Sequence, residues 1–305
     1  MSPVSLPDEV RVASAWVAER ARSVRIDETQ VEQYAVGLAL GAEDEPAEQS
    51  VERDPEAAAA FAICMNAINF GSGWWPTIRK RPGLSGYSTM EAGVIERFGS
   101  AGHWSAEELA AMTTGEIAAM VGQDPQHPLM PQFAAALRDV GEHLIAQHDG
   151  RYLGAVDAAE SIPDLASIFA SWSSFADVSS YDGREVPFFK RAQLAAADLH
   201  RAGTADLPGF DRLTAFADNL VPHVLRVDGL LELDPELTRR IEAEELLIHG
   251  SSEEVELRAC AIQAIELIAA ACSVAAAEVD SALWNRGRGR RYKSLPRPRS
   301  RNSAY

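Results

Sequence analysis

The sequence predicts an all-α protein that is mainly helical, with short strands as minor additions. Apolar residues recur at three- and four-residue spacings along most of the 305 residues, whereas strict alternation is rare. The hydrophobic content of 47% suffices for a sizeable core, and a 24% charged content without a long polar tract excludes disordered and fibrous classes. No repeat of solenoid length is visible. We therefore expect one domain over residues 1–305, built as a single unit with two lobes.

Helical periodicity predicts ten helices, and cap residues support several of them. Ser105 precedes Glu107 and Glu108, and Ser252 precedes Glu253, so acidic residues stand where the positive end of a helix favours them. The predicted helices are 7–24, 28–39, 55–68, 105–121, 131–148, 155–170, 187–202, 211–226, 235–247 and 253–284.

Three stretches lack this periodicity or interrupt it. Short extended pieces are expected near 68–75 and 180–188, where aromatic residues cluster around Gly and Pro. Residues 69–102 are the least regular part of the chain and predict a folded loop with a function. No large sheet is expected.

The charge is unevenly distributed along the chain. The formal net charge is -17, and the stretch 286–305 holds eight Lys or Arg and no acidic residue, so residues 1–285 carry -25. Such an acidic body repels a nucleic-acid backbone, so we expect no stable nucleic-acid binding. A small anion near the basic tail, residues 286–305, remains compatible with this pattern.

Common motifs for cofactors, metals and membranes are missing from the sequence. It has no phosphate loop, no nucleophile elbow and no H-E-x-x-H helix, and its three cysteines lack C-x-x-C spacing. We therefore expect no metal and no cofactor, and we interpret the cysteines as buried thiols. The first ten residues do not resemble a signal peptide, and the longest apolar run, 267–277, is too short to span a membrane. A cytoplasmic protein without membrane contact is expected.

Aromatic residues cluster with glycines at residues 69–76. Phe70, Trp74 and Trp75 lie within six residues, so they can form a wall on which a planar ring stacks, with Asn69 as hydrogen-bonding partner. The alternative is an aromatic plug that closes the core.

A second cluster places two cations at the start of a predicted helix. Lys190 and Arg191 follow Phe188 and Phe189, and cations are unfavourable at the positive end of a helix. A buried ion pair between Arg191 and Asp198, two turns later, is the favoured reading for Arg191. Lys190, beside the aromatic pair, is the better functional candidate.

The third cluster sets a carboxylate beside an expected helix break. Pro222 lacks the amide that a helix would donate to the carbonyl of Asp218, so a helix is broken or kinked there. Asp218 is then either a helix cap or a group that stabilises positive charge during a reaction. A fourth cluster places Glu256 and Arg258 at the edge of an apolar helix, where charges are more often structural.

The ordered segments NFGSGWWP, FFKRAQLAAADL, FADNLVP and EVELRACAIQAIEL, with a basic tail ending in Tyr, resemble the queuosine salvage proteins. These are queuosine 5'-phosphate N-glycosidases. The resemblance spans nearly the whole chain, and FFKRAQ followed by ADL and FAD-x-x-VP is specific. Departures are Pro298 at a common His position, Asn219-Leu220 in place of Tyr-Arg, and His223 where Gln is common.

The resemblance implies a fold similar to the helix-hairpin-helix DNA glycosylases and hydrolysis of queuosine 5'-monophosphate to queuine and ribose 5-phosphate. It implies that Asp218 stabilises an oxocarbenium-like transition state and activates water, with Lys190 as a second catalytic residue. The expected substrate-binding residues are Asn69, Phe70, Trp74, Phe188, Phe189, Arg191, Asp198, Glu256, Arg299, Arg301 and Tyr305.

Two other classes of function compete with this hypothesis. A non-catalytic protein that binds queuine or a related nucleoside would use the same pocket, and a DNA glycosylase would use the same fold. The charge of -25 on residues 1–285 argues against the second class, because duplex binding needs a broad basic face.

Overall fold

The computed structural model describes residues 4–38 and 54–305. Within these ranges the chain is mainly helical, and four short strands form two separate antiparallel pairs. The fifteen α-helices of the described part are α1 (Leu6–Ala18), α2 (Val31–Gly37), α3 (Pro55–Ala67), α4 (Gly86–Ala101), α5 (Ala106–Ala110), α6 (Thr114–Met120), α7 (Leu129–Gln147), α8 (Tyr152–Asp157), α9 (Ile162–Ala170), α10 (Lys190–Arg201), α11 (Leu220–Val227), α12 (Pro235–Glu242), α13 (Ser252–Cys272), α14 (Ala276–Gly287) and α15 (Arg290–Lys293). The mainly helical prediction is confirmed.

The strands are β1 (Val24–Ile26), β2 (Val178–Tyr181), β3 (Arg184–Pro187) and β4 (Leu231–Leu233). Strand β1 pairs with β4, and β2 pairs with β3 as a hairpin. Asp182 and Gly183 form the two-residue turn with φ of 46° and 77°, and such a turn favours an Asp-Gly pair. The hairpin confirms the extended piece predicted near 180–188. The one predicted near 68–75 is a 3-10 turn at Ser72–Trp74 instead.

The chain divides into two compact units that are interleaved in sequence. The described residues of unit 1 are 4–38, Asp177–Gln193 and Gly209–Arg301, and those of unit 2 are 54–176, Leu194–Pro208 and Asn302–Tyr305. In unit 1, α13 packs against α1, α2, α11 and α14. In unit 2, α7 packs against α3, α5, α6 and α8.

Several predicted helices are interrupted by local signals. Residues 105–121 form α5 and α6, since Thr113 caps a new helix, and residues 155–170 divide between α8 and α9 at the Ser161 cap. The predicted helix 253–284 is two helices that meet at 110°, because Ser273 adopts a left-handed conformation with φ 55°. Residue 39 of the predicted helix 28–39 lies outside the described residues.

The prediction of a folded loop over 69–102 is wrong for its second half, which is α4. Glycine content hid this helix, and the packing explains two of the glycines. A Cβ on Gly93 would meet the Met120 carbonyl oxygen at 2.9 Å, and a Cβ on Gly86 would meet the Trp75 ring at 2.6 Å. These glycines permit close approach and do not mark a loop.

In the described ranges, no single helix is long and apolar enough to cross a membrane. Helices α13 and α14 pass that test only as a pair, across their 110° bend.

Candidate active site

The predicted site residues fall on both units. Unit 1 holds both predicted catalytic residues and six predicted binding residues: Lys190, Asp218, Phe188, Phe189, Arg191, Glu256, Arg299 and Arg301. Unit 2 holds the other five: Asn69, Phe70, Trp74, Asp198 and Tyr305.

Asp218 lies immediately before α11 and is half-buried. Its Oδ1 accepts hydrogen bonds from the amides of Leu220 at 2.6 Å and Val221 at 3.3 Å, so this carboxylate caps the helix. Its Oδ2 accepts no hydrogen bond from a described residue. One oxygen is therefore fixed by the fold while the other is available to a ligand.

The helix predicted over 211–226 begins only at Leu220. Pro222 consequently stands in the first turn of α11, where a missing amide breaks no helical hydrogen bond. The expected kink is therefore a helix start. Asp218 therefore stands at the positive end of a helix.

Residues of the basic tail bond to α11 and to the residue before it. Their carbonyl groups accept hydrogen bonds as follows: Tyr292 from His223 Nε2 at 3.0 Å, Pro296 from Arg226 Nη2 at 2.8 Å, and Pro298 from Asn219 Nδ2 at 2.9 Å. The tail is thereby fixed beside Asp218.

Arg297 is the tail cation whose charge responds to Asp218. Burial lowers the pKa of the Arg297 guanidinium, the Asp218 carboxylate raises it, and the charge of Arg299 lowers it. Arg297 makes no hydrogen bond or ion pair with any residue of the described ranges. The sequence prediction chose its neighbours and missed Arg297, although all three share the same Arg-rich pattern.

The two tail arginines predicted to bind substrate are placed differently. The Arg299 guanidinium pairs with Glu244, and the Arg299 carbonyl accepts from the Leu247 amide at 2.8 Å. Arg301 is exposed. The charge of Arg299 is therefore already paired with a carboxylate of the protein. No carboxylate of a described residue lies at ion-pair distance from the Arg297 guanidinium.

Lys190 is the first residue of α10 and is buried, with 5% of its surface exposed. Its amide donates to Asp177 Oδ2 at 3.1 Å, so Asp177 satisfies the amino end of the helix. The Asp177 carbonyl also accepts from the amides of Phe188 at 2.9 Å and Phe189 at 3.3 Å. Asp177, which sequence reasoning missed, therefore accepts hydrogen bonds from the three consecutive amides of residues 188–190, where α10 begins.

The two aromatics before Lys190 differ in their surroundings. Phe188 is fully buried, and the Arg258 guanidinium covers its ring at 3.9 Å, so one face of that ring is occupied by the protein. Phe189 is half-buried and has φ 48°, a conformation that a bulky residue rarely adopts. Such strain is concentrated at functional sites, which favours Phe189 as the ring that faces a ligand.

Glu256, predicted to bind substrate, is hydrogen-bonded to groups of the protein. It is fully buried, its Oε2 accepts from the amides of Arg22 at 3.0 Å and Ser23 at 2.6 Å, and its Oε1 accepts from the Tyr181 hydroxyl at 2.8 Å. Three protein donors occupy this carboxylate. A substrate amine would have to displace them.

The predicted aromatic wall of unit 2 is buried. Phe70 packs edge to face against Phe133 at 5.0 Å, and Phe70, Trp74 and Trp75 expose less than a tenth of their surface. This packing favours the alternative of an aromatic plug for Phe70 and Trp74. Tyr305 is also buried, and its carbonyl accepts from the Gly71 amide at 3.0 Å, which joins the tail end to this segment.

Two predicted polar residues of unit 2 are linked through a third. Asn69 Nδ2 donates to Asn66 Oδ1 at 3.4 Å, and Asn66 Nδ2 donates to Asp198 Oδ2 at 2.8 Å. Asn66 is buried, whereas Asn69 and Asp198 are half-buried. The structure therefore brings Asn69 and Asp198 into one polar cluster. A buried Asn in the apolar helix α3 was the signal that sequence reasoning overlooked.

Arg191 is buried at the start of α10. Asp198 pairs with Arg201 at 3.4 Å in addition to Asn66. An ion pair between Arg191 and Asp198 stays a prediction.

One groove of unit 1 lies away from these residues. Its volume is about 580 Å³, and residues of α1, β1 and β4 contribute to its lining, which contains none of the predicted site residues. In the described part of the chain, no group of three or more His, Cys, Asp or Glu side chains is arranged to hold a metal ion.

The comparisons with known proteins agree with these motifs. The family model described as Queuosine salvage protein matches residues 49–305. The chain is similar to the queuosine 5'-phosphate N-glycosylase/hydrolase of Sphaerobacter thermophilus, at 33% identity over 95% of both chains. It is similar to the proteins of the same name from Dictyostelium discoideum, at 30% identity over 66% of both chains, and Bos taurus, at 29% over 54% of this chain and 50% of the relative. The chain therefore belongs to the queuosine salvage protein family.

Proposed function

We propose that this chain hydrolyses the N-glycosidic bond of queuosine 5'-monophosphate and releases queuine and ribose 5-phosphate. The observation that carries the proposal is the similarity, over 95% of both chains, to a relative whose name states this activity. The geometry of Asp218 supports the chemistry, because a carboxylate with one fixed and one available oxygen suits a reaction that develops positive charge.

The proposed reaction balances without a cofactor. The bond between the ribose C1' and the base nitrogen breaks, and its electron pair leaves with the base. Positive charge then develops on the ribose, where the Asp218 carboxylate stabilises it. A water oxygen bonds to C1', Asp218 takes the proton of that water, and a proton returns to the base nitrogen. Lys190, the other predicted catalytic residue, supplies positive charge or orientation to the leaving base.

We propose Arg297 as the main contact of the 5'-phosphate, with Arg299 and Arg301 further out on the tail. The support is that Arg297 is desolvated and lies close enough to Asp218 for its pKa to respond to that carboxylate. A phosphate would supply the anion that Arg297 lacks among the described residues, and guanidinium groups bind phosphate well. Phe189 is proposed to stack on the planar base.

We also propose a helix-hairpin-helix DNA-glycosylase type of fold in one domain over residues 1–305, in the cytoplasm. The support is the family resemblance and the place of Asp218 at the start of a helix in a mainly helical chain. Superposition of an experimental structure on such a glycosylase tests this fold.

The function is tested by incubating the purified chain with queuosine 5'-monophosphate and following free queuine by chromatography. We expect release by the wild type and a loss of at least about 10³-fold in kcat for Asp218→Asn, because the variant retains the size of the residue but loses its negative charge. Asp211→Asn, at an exposed position seven residues earlier, is the matched control and should retain full activity.

The competing binding function predicts a different outcome. If wild type and Asp218→Asn both bind the nucleotide and neither releases queuine, the chain is a non-catalytic binding protein and the hydrolase proposal fails.

A further inference from the structure

Arg258 is a fully buried cation on α13 whose hydrogen bonds reach two separate segments of unit 1. Its Nη1 and Nη2 donate to Asp177 Oδ1 at 2.9 Å and Oδ2 at 2.6 Å, as a bidentate fork. Its Nε donates to the Ala217 carbonyl at 3.1 Å. The planar group thus bonds through all three nitrogens, an arrangement that a lysine cannot reproduce.

The partners of Arg258 adjoin the two predicted catalytic residues. Ala217 directly precedes Asp218, and the carboxylate of Asp177 also accepts the Lys190 amide at 3.1 Å. One continuous chain of hydrogen bonds therefore runs from the Lys190 amide through Asp177 and Arg258 to the residue before Asp218. Lys190 and Asp218 are 28 residues apart in sequence, and this network joins their main chains.

Asp177 and Arg258 also contact the segment with the unusual backbone at Phe189. The Asp177 carbonyl holds the amides of Phe188 and Phe189, and the Arg258 guanidinium lies over the Phe188 ring at 3.9 Å. These contacts stabilise the entry to α10 although Phe189 adopts φ 48°. Loss of the fork would release the Lys190 amide, whereas the Phe189 amide is held by the main-chain carbonyl of Asp177, which a change of that side chain leaves in place.

Stability alone does not require a buried ion pair at this place. Burial of two charges costs desolvation energy, and well-packed apolar residues often stabilise a core equally well. A bidentate fork, by contrast, fixes distance and angle between the segments it joins. Reactions that depend on orientation lose about 10²-fold in rate when a reacting group shifts by about 1 Å.

We infer that Asp177 and Arg258 are positioning residues that fix Asp218 relative to Lys190 for catalysis. This inference rests on the proposed function, since it assigns a role within the same site. Neither residue is required to touch the substrate. Their loss should therefore lower kcat while KM changes little.

The experiment measures kcat and KM with queuosine 5'-monophosphate, and the melting temperature, for four variants. These are Arg258→Lys, Asp177→Asn, the double variant that combines them, and Arg258→Ala. We expect each single variant to lose about 10- to 100-fold in kcat with a KM change below about threefold. The double variant should lose no more than the worse single variant, because both changes break the same network. Added guanidinium ion at millimolar concentration should restore part of the kcat of Arg258→Ala.

Arg11→Lys is the matched control, since Arg11 also joins a carboxylate to main-chain carbonyls in unit 1. Its Nε pairs with Glu266 at 3.1 Å, and its Nη2 donates to the carbonyls of Arg212 at 2.8 Å and Leu213 at 3.1 Å. It should lose stability with an unchanged kcat.

The outcomes separate this inference from the proposed function. If wild type is active, Asp218→Asn is inactive, and Arg258→Lys and Asp177→Asn melt earlier with a full kcat, the network is only structural and the inference fails alone. Losses of kcat that simply add in the double variant, without rescue by guanidinium, also overturn it. If the wild type releases no queuine, the proposed function fails and the inference fails with it.

Discussion

At the scale of single residues, His223 gives the structure a pH dependence. The imidazole is fully buried, and its Nε2 donates to the Tyr292 carbonyl at 3.0 Å, while Nδ1 has no partner among the described residues. Burial lowers the pKa of His223 from 6.5 to about 4, although the Tyr292 hydrogen bond opposes this. Above pH 6.5 the ring is neutral in both the folded and the unfolded chain.

Between pH 6.5 and about 4 only the unfolded chain gains this proton, so the free energy of unfolding falls as the pH is lowered. The pKa difference corresponds to roughly 3 kcal/mol. We expect His223→Gln, which keeps a donor for Tyr292, to reduce the stability difference between pH 7 and pH 4.5 by roughly 2–3 kcal/mol. Urea unfolding at both pH values measures this, and equal declines for wild type and variant would contradict it.

Arg297 is the residue that we expect to bind the 5'-phosphate. We expect Arg297→Gln to raise KM for queuosine 5'-monophosphate by about 10- to 100-fold, because a charge-assisted hydrogen bond contributes about 1.5–3 kcal/mol. KM for the nucleoside queuosine should change little. Lys293→Gln removes an exposed charge of the same tail and is the control. An equal rise of KM for the nucleotide and the nucleoside would show that Arg297 does not bind the phosphate.

At the scale of elements, two glycines of α4 differ in whether packing requires them. Gly93 faces the end of α6, where a Cβ would meet the Met120 carbonyl oxygen at 2.9 Å and the Val121 Cα at 3.2 Å. A Cβ on Gly99 would meet nothing within 4 Å. The first glycine is required by packing, and the second is not.

We therefore expect opposite effects on the free energy of unfolding from the same substitution. Gly93→Ala should destabilise by about 1–3 kcal/mol, because backbone at the end of α6 must shift. Gly99→Ala should stabilise by up to about 1 kcal/mol, since alanine is the better helix former. Denaturant unfolding of both variants measures this, and a stabilising Gly93→Ala would disprove the packing argument.

At the scale of the whole molecule, the two units are not two successive segments of the chain. The chain changes unit five times, and one change, between Gln193 and Leu194, falls inside α10. Since helix formation is cooperative, α10 connects the unfolding of one unit to that of the other. The sequence therefore cannot be cut at one point into two segments that each contain one whole unit.

We expect a single unfolding transition, in which the calorimetric enthalpy equals the van't Hoff enthalpy. Coincident transitions by circular dichroism and tryptophan fluorescence provide a second check. Two resolved transitions would show that the units unfold independently, and would count against the single domain proposed for residues 1–305.

Much of the fold was predictable because helical periodicity is a local property. The helices α3, α7 and α10 begin within two or three residues of their predicted starts, and the hairpin near 180–188 is where aromatics, Gly and Pro placed it. Failures occurred where packing determined the structure. The glycines of α4 look like loop residues without α6 beside them, and Ser273 carries no sequence signal for the bend between α13 and α14.

The candidate site was predictable only in part. Asp218 and Lys190 stay predictions: Asp218 was chosen for its motif and the helix break expected at Pro222, and Lys190 for its motif and its place at a helix start. Asp177, Asn66 and Arg297 were missed, since an isolated acid, amide or arginine has no distinctive local pattern. The protein donors of Glu256 were not predictable, because they come from residues more than 70 positions away.

The sequence by itself determined the helical class, the acidic body with a basic tail, and the motifs that place the chain in its family, because these depend on composition and on neighbours within a few positions. Only the tertiary structure decided which charged side chains serve the fold and which remain for a ligand. That choice depends on hydrogen-bond partners and burial, which arise when distant segments pack together. Arg258 shows this, since its role follows from Asp177 and Ala217, 81 and 41 residues earlier in the chain.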